Sequence, residues 1–554
     1  MSARPELRAP KEDGAVLAEP PLEQARALID HNRQVLPGCD GPNDAASKSE
    51  STTPNGRIGG HVASARGGFF SSKAWAELRC AARRSAVAAA REYLSKGGEP
   101  VPASGNSDSL VVAGHQPELF HPGVWAKNFA LAGLARRHGV MALNLVVDND
   151  TVKSTSLRLP SPGTSAVKWP HALTVSFDRW TGEIPYEERT LVDGEEFASF
   201  ADRVLDVLSG WNYTPLLKSL WPEVLKQADR TPLTGECFAS ARRSFERRWG
   251  CHNLEIPVSA LCRTEPFEWF SCHIISELPR FHSIYNECVH EYRRRYGIRS
   301  RNHPVPDLAV DGDWLETPFW GWKVGQKRRG RLFARVRDGS IDLRTGADNW
   351  PAIPCCKESE TSGAWQALER EGFKLRCRAL SNTLYARLFL ADLFVHGIGG
   401  GKYDELTDAI IRRYYGVEPP GFIVLTATRL LPLPHYPTGA DDVHRLQRAL
   451  RDIHWNPQRH LQGVAESQRD LAAEKSDWIQ REPADKAGRR ERFRMIRELT
   501  TRLRVPLEGA ERRLRDELAE SGKQVEANQV LTRRDYSFVL YPEEVLRPFC
   551  EQFL

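Results

Sequence analysis

No stretch of the chain is apolar for long enough to cross a membrane, and the amino terminus (MSARPELRAPKEDG) carries no apolar signal core. No CxxC pair occurs among the 11 cysteines, and the one close pair is Cys355-Cys356. An odd, scattered set of this kind reads as reduced thiols, not as a disulfide framework, so we expect a soluble cytoplasmic protein. No sign of charge dominates: 77 basic residues face 72 acidic ones, a formal net charge of +5. That balance does not suggest a general nucleic-acid binder, although a local basic patch is compatible with it. No tandem repeat longer than a heptad-like spacing is present. A P-loop is also missing, because GxxxxGK[ST] needs Gly at 396 and Ser or Thr at 403, where this chain has His396 and Tyr403. GxGxxG fails as well, since Gly397, Gly399 and Gly400 are followed by Lys402.

What is present is an ordinary globular composition, 41% hydrophobic and 27% charged over 554 residues, long enough for roughly two to four domains. Residues 1–68 are rich in Pro, Gly, Ser, Asn and Ala, and are expected to be a largely disordered extension with one short helix around Leu22 to Gln34. A helix is expected from Ser72 to Ser95, burying Trp75, Leu78, Ala82 and Val87. An α/β pattern then begins. Leu110 to Ala113 reads as a buried strand. Pro122 to His138 reads as a helix with Trp125, Phe129, Ala132 and Leu134 as its stripe and Gly139 as its stop, and Ala142 to Val147 as a second strand. Strand, helix, strand in that order is a βαβ unit, so a parallel sheet is expected.

Helices are further expected over Phe200 to Gly210 and Glu268 to Tyr296. From about 300 to 350 short alternating segments joined by Gly-containing turns, such as "DWLETPFWGWKVG" and "RRGRLFARVRDG", predict a small antiparallel β insertion. "TLYARLFLADLFVHGI" reads as a helix and then a strand, and Phe422 to Thr426 as another strand. The core is thus taken as 69–440. Over 441–535 the spacings of Val443, Leu446, Leu450 and Ile453, of Phe493, Ile496, Leu499 and Leu503, and of Leu507, Ala510, Leu514 and Leu518 predict a helical coiled-coil arm. Residues 536–554 are expected to pack back on the core.

Three stretches carry candidate chemistry. In "VVAGHQPELFHPG", Gly114, His115 and Gln116 sit at a strand-to-helix turn, with Lys127 one turn into the helix. Backbone N–H groups and the helix dipole suit phosphate or carboxylate there, and His115 can donate, accept or exchange a proton near neutrality; the same residues also satisfy a plain turn. In "LVVDNDTVKS", Asp148, Asn149 and Asp150 follow a strand on the same sheet edge, and the two aspartates can bind an amine, ribose hydroxyls or Mg²⁺, or cap a turn. In "VHGIGGGKYDEL", four glycines between Gly397 and Gly401 let the backbone approach an anion before a helix, followed by Lys402 and Asp404. Trp314, Trp320 and Trp322 can stack on a sugar or base, but at strand spacing they read chiefly as core. Lys327-Arg328-Arg329 and Arg293-Arg294-Arg295 read as solvated faces.

Taken together, "VVAGHQPELFHPGVWAKNFALAG", "ALNLVVDNDTVKS" and "ADLFVHGIGGGKYDELTDAIIRRYYG" resemble, in order and approximate spacing from residue 110 to about 520, the bacillithiol-biosynthesis cysteine-adding enzymes, the BshC family. His115 stands where that family usually has a first Gln, and the HxGH signature of adenylating nucleotidyltransferases is absent. The resemblance implies a Rossmann-like core related to nucleotidyltransferases and a C-terminal coiled coil that can support a homodimer. It also implies a ligase that joins the carboxyl of cysteine to the amine of a glucosaminyl-malate, using ATP or another nucleotide, with the metal left open. On that implication His115, Asp148, Asp150 and Lys402 are the expected catalytic residues. Gly114, Gln116, Lys127, Asn149, Gly399, Gly400, Gly401 and Asp404 are the expected binding residues. The expected partners are an amino acid and an amino-sugar conjugate, with no nucleic acid and no membrane. The alternatives are nucleotidyl transfer to a small phosphorylated metabolite, or a non-catalytic coiled-coil scaffold.

Overall fold

The computed structural model describes residues 7–36, 72–102, 108–163, 167–326, 328–337, 339–354, 363–461 and 466–554. Its organising element is a six-stranded sheet of β1 (Val16–Glu19), β2 (Leu110–His115), β3 (Met141–Val146), β4 (Leu254–Pro257), β5 (Leu393–His396) and β6 (Phe422–Ala427). The spatial order is β1-β6-β5-β2-β3-β4. Every pairing is parallel except that of β1 with β6. Branched apolar residues fill the interior strands, and β3, β4, β5 and β6 are buried along their whole length, as expected for strands covered on both faces.

The expected βαβ unit is present as β2, α3 (Pro122–His138) and β3. Helix α3 begins at a proline, is capped by the His121 side chain accepting from Gly123 N, and ends at Gly139 in the left-handed region. It lies very close to the sheet. A Cβ on Gly123 would sit 2.1 Å from the Ala427 carbonyl oxygen, so only glycine fits there. Helix α2 (Ser72–Lys96) covers the other face, burying Trp75, Ala82 and Val87. Arg83 from α2 pairs with the buried Asp392 at 2.5 Å, and Asp392 in turn accepts from Leu110 N, tying α2 to the start of β2 and β5.

Several expectations need correction. The amino-terminal segment is not disordered over 7–36: β1 extends the sheet edge beside β6, and α1 (Ala25–Val35) docks behind it. Asn32 fixes that docking, donating to the Asp392 and Gly421 carbonyls and accepting from Gly421 N at 2.6 Å. The composition of the segment concealed a piece of chain held by backbone pairing, by the buried Asn32 amide and by a few widely spaced apolar side chains, Leu7, Ala25, Ile29 and Leu36, that reach the core. The rest of that segment, 37–71, lies outside the described residues. Thiols are not reduced throughout: Cys80 is disulfide-bonded, while the other seven described cysteines are free. Cys355-Cys356 lies outside the described residues.

The antiparallel β insertion exists, running through Trp314–Lys323, Gly330–Arg337 and Ser340–Thr345, and it recruits Phe373–Cys377 beyond the expected boundary. Beyond residue 440 the described chain forms helices Ala440–Trp455, Glu466–Gln480, Lys486–Arg504 and Glu508–Leu531. The first packs on the last, and the middle two on each other. Leu446, Ile453, Leu499, Leu503 and Leu507 are buried, while Phe493 is 65% exposed. The C-terminal residues return to α3. The Phe538 ring stands 4.3 Å from that of Trp125, and a Cβ on Gly133 would overlap the Phe553 carbonyl. Among the described residues no helix is long and apolar enough to cross a membrane.

Candidate functional site

Strand order reverses between β2 and β5. From β2 the chain moves outward through β3 to β4, then returns to the other side of β2 for β5 and β6. Loops leaving the carboxyl ends of β2 and β5 therefore diverge, and a crevice opens between them, which is where open α/β sheets bind ligands. A cavity of about 570 Å³ lies there, bordered by Gly114, His115, Gln116 and Lys127 from the β2–α3 side and by His396, Gly397, Gly399 and Gly400 from the β5 side. Asn149 and Asp150 close a third wall, and Trp320, Arg329 and Arg378 a fourth. Two of the three expected stretches thus meet directly, and the third contributes two of its three polar residues.

The β5 side is a helix start. Helix α4 (Ile398–Ile410) has Gly397 as its N-cap, so the glycines form its first turn instead of a loop before it. Ile398, Gly399 and Gly400 have no residue four earlier inside the helix, which leaves their N–H groups without intrahelical partners. Gly397 lacks a side chain to cap them. Gly400 must be small because a Cβ there would stand 2.6 Å from His396 Nδ1.

Lys127 faces this turn. Its side chain is buried, and a Cβ on Gly397 would lie 3.8 Å from its Nζ. The ammonium donates to the Gly114 carbonyl at 3.3 Å. Among the described residues no carboxylate lies within ion-pair distance of it. Burial alone lowers its pKa from 10.5 to about 8. A buried cation with no counter-ion, beside unpaired N–H groups, is a site for an anion.

His115 lies in the same cavity with its Nδ1 3.3 Å from the Gln116 carbonyl. Burial, with Lys127 close by, lowers its pKa to about 3. The imidazole is therefore neutral at physiological pH. It can accept or donate a hydrogen bond, but it is a weak base and does not carry the proton-exchanging role expected of it near neutrality. His121 is likewise lowered to about 4, by burial and then by Arg534.

The acidic stretch is clamped residue by residue. Asp148 faces away from the cavity and accepts from Ser259 N at 2.8 Å and Ser259 Oγ at 2.5 Å, a cap on the short helix Val258–Leu261. Asn149 Nδ2 donates to the Cys377 carbonyl at 2.6 Å. Asp150 lies at the cavity but accepts from Gln116 Nε2 at 2.9 Å and pairs with Arg329 at 2.7 Å. Burial opposes ionisation of Asp150, yet Arg329 and Gln116 outweigh it and hold the carboxyl below its usual range. Neither aspartate is free to anchor an ammonium group.

Three further expected residues are elsewhere. Lys402 is exposed and lies outside the cavity, its carbonyl accepting from Tyr292 Oη at 3.1 Å. Gly401 packs on the sheet, where a Cβ would meet Val424 at 2.3 Å. Asp404 is fully buried, bound to Arg387 at 2.8 Å and to His396 Nε2 at 2.6 Å. The helical turn decides all three, since successive residues rotate by about 100° and only the first turn can face the crevice. The expected grouping of His115, Asp148 and Lys402 does not assemble.

Residues read as surface or core take their places. Arg329, expected on a solvated face, reaches the Asn149 carbonyl as well as Asp150. Trp320 lines the cavity with the guanidinium carbons of Arg329 and Arg378 at 4.6 and 4.4 Å from its ring centre, while Trp322 is core. Arg534 arrives from the C-terminal tail and donates to Thr426 Oγ1. Nothing local in the sequence marks Arg378 or Arg534. His121 stands in the same stretch as His115, "GHQPELFH", but was not singled out there. Among the described residues no group of three or more His, Cys, Asp or Glu is arranged to hold a metal. No family model matches the chain, and no curated protein matches it either.

Proposed function

We propose that the crevice binds the phosphate or carboxylate of a small molecule and serves a BshC-like ligase, joining an amino-acid carboxyl, cysteine in the family the motifs resemble, to the amine of a glucosaminyl-malate-like acceptor. The observation that carries the anion site is Lys127: a buried ammonium without a carboxylate among the described residues, set against the open first turn of α4. The strand order β4-β3-β2-β5-β6 supports a Rossmann-like reading of the sheet. The cavity volume lies within the range of small-molecule and cofactor sites.

In this reading Lys127 and the N–H groups of Ile398, Gly399 and Gly400 take the part expected of Lys402. ATP or another nucleotide, when bound, would supply activation of the carboxyl. The chain's own work is positioning: Lys127 and α4 hold negative charge, neutral His115 and Gln116 orient a neighbouring group, and Arg329 and Arg378 keep the Trp320 wall in place. The long C-terminal helices would act as a coiled-coil arm, and a second copy packed along it would cover the exposed Phe493.

The test is calorimetry with ATP, ADP and cysteine on the wild type and Lys127→Met, followed by product analysis with labelled ATP and a glucosamine-type acceptor. The expected result is nucleotide binding weakened roughly tenfold or more by the substitution, with AMP or ADP released on turnover. Diphosphate with a nucleotidylated product would mean transfer instead of ligation. No binding of any of the three would leave the scaffold reading.

A further inference from the structure

A second cavity, about 320 Å³, lies against the first and shares His115, His121 and Val124 with it as a common wall. Its far side is made by Ser154, Thr155 and Ser156, by Thr234, and by the aromatic rings of Phe177, Tyr186 and Phe238. Four charged side chains border it besides the histidines. Lys153 is paired with Glu183 at 2.5 Å, Arg189 with Asp178 at 2.8 Å, and Asp535 with Arg533 at 2.6 Å. The fourth is Glu118. Its carboxylate accepts from Tyr186 Oη at 3.3 Å and stands 3.9 Å from His115 Nδ1, an imidazole that is uncharged at neutral pH.

Glu118 therefore has hydrogen bonding but no cation among the described residues. It mirrors Lys127 across the His115–His121 wall: among the described residues one cavity contains an ammonium without a carboxylate, and its neighbour a carboxyl without a cation, which burial and then Asp150 raise above its usual range despite the bond from Tyr186. A carboxylate in a half-enclosed, aromatic-walled cavity gains most from a compact cationic donor, and hydroxyl side chains opposite it suit a polar, hydroxylated body.

We infer that this second cavity is a binding site for a small hydroxylated primary amine, whose ammonium group pairs with Glu118 and whose body lies between the Ser154–Ser156 strand entry and the Phe177 and Phe238 rings. The site is distinct from the anion site, and its assignment does not rest on nucleotide binding in the first cavity. Glu118 assumes the ammonium-anchoring part that Asp150, committed to Arg329, does not perform.

The experiment is a calorimetric titration of the full chain with a panel of primary amines from ethanolamine to glucosamine, each against its N-acetyl counterpart. Glu118→Gln keeps the shape and the hydrogen bond from Tyr186 but removes the charge; Lys127→Met disables the neighbouring anion site. The expected result is binding of at least one free amine and not of its N-acetyl form. Affinity should fall roughly ten- to hundredfold in Glu118→Gln and stay unchanged in Lys127→Met. Binding of no amine, or equal affinity in wild type and Glu118→Gln, overturns the assignment. Loss of amine binding in Lys127→Met, with Glu118→Gln still binding, would move the amine to the first cavity and overturn it equally. Thermal unfolding of each variant checks that the fold is retained.

Discussion

Arg329 reaches out of the antiparallel insertion and closes on Asp150 at 2.7 Å, bonding the Asn149 carbonyl with its other nitrogen at 2.8 Å. One guanidinium thus joins the antiparallel insertion to the parallel sheet at the edge of the crevice. Both partners are partly accessible, so the pair acts more as a latch than as a source of stability. Arg329→Ala should destabilise the protein by only about 1 kcal/mol, yet free Asp150 and Gln116 to move and weaken ligand binding in the crevice. Denaturant unfolding together with ligand titration checks this, and a variant that binds as well as wild type would deny the latch its role.

Lys127 leads to an opposing pair of effects. Its pKa falls from 10.5 to about 8 on folding, so the unfolded chain holds more protons between those values and stability rises with pH across that window. Below pH 8 the buried charge costs on the order of 3 kcal/mol without a bound anion. Lys127→Met should therefore raise the melting temperature of the ligand-free protein at pH 7 while abolishing anion binding. In the wild type, anion affinity should decline as pH rises through about 8, where the ammonium discharges. A Lys127→Met protein less stable than wild type at pH 7 would contradict the account of an unpaired charge.

Asp148 provides a control close to the site but outside it. Burial, and then Glu187, raise its pKa from 3.8 to about 7 despite the bonds from Ser259. A carboxyl raised on folding binds more protons in the native state, so its contribution to stability falls as pH rises from about 4 to 7 and stays low above that. Asp148→Asn retains an acceptor for Ser259 N and has no charge to bury. At pH 8 it should be at least as stable as wild type, with a flatter pH profile and unchanged ligand affinity. Loss of ligand binding in this variant would return Asp148 to the site.

Asp404 behaves differently because its partners are charged. Burial opposes its ionisation, but Arg387 and His396 prevail and hold the carboxyl well below the usual range. Asp404→Asn leaves Arg387 paired with Asp408 alone, and should cost about 3 kcal/mol. His396 borders the crevice, so its freed ring should also alter ligand affinity, though by less than Lys127→Met does. Urea unfolding and calorimetry on the same preparation separate the two effects.

The βαβ unit was legible because its signals are local: Leu110 to Ala113, the proline start, the stripe from Trp125 to Leu134 and the stop at Gly139 all act within a few residues of chain. So was the location of the crevice, since polar residues after consecutive parallel strands must share one sheet edge. Amino-terminal β1 was illegible because a four-residue edge strand is only partly buried and is held by backbone bonds to Thr426 and its neighbours, which composition does not report.

The sequence by itself determined which residue types stand at the carboxyl ends of β2, β3 and β5, because periodicity and turn chemistry are short-range. Only the tertiary structure decided which of them remain free. Asp150 and Asp404 met arginines from distant segments, Asp148 met Ser259, and Lys402 turned outward with the helix, while Lys127 and Glu118 kept hydrogen bonds but met no side chain of opposite charge at neutral pH among the described residues. Charge pairing depends on distance in space and on desolvation, and neither is written in the spacing of residues along the chain.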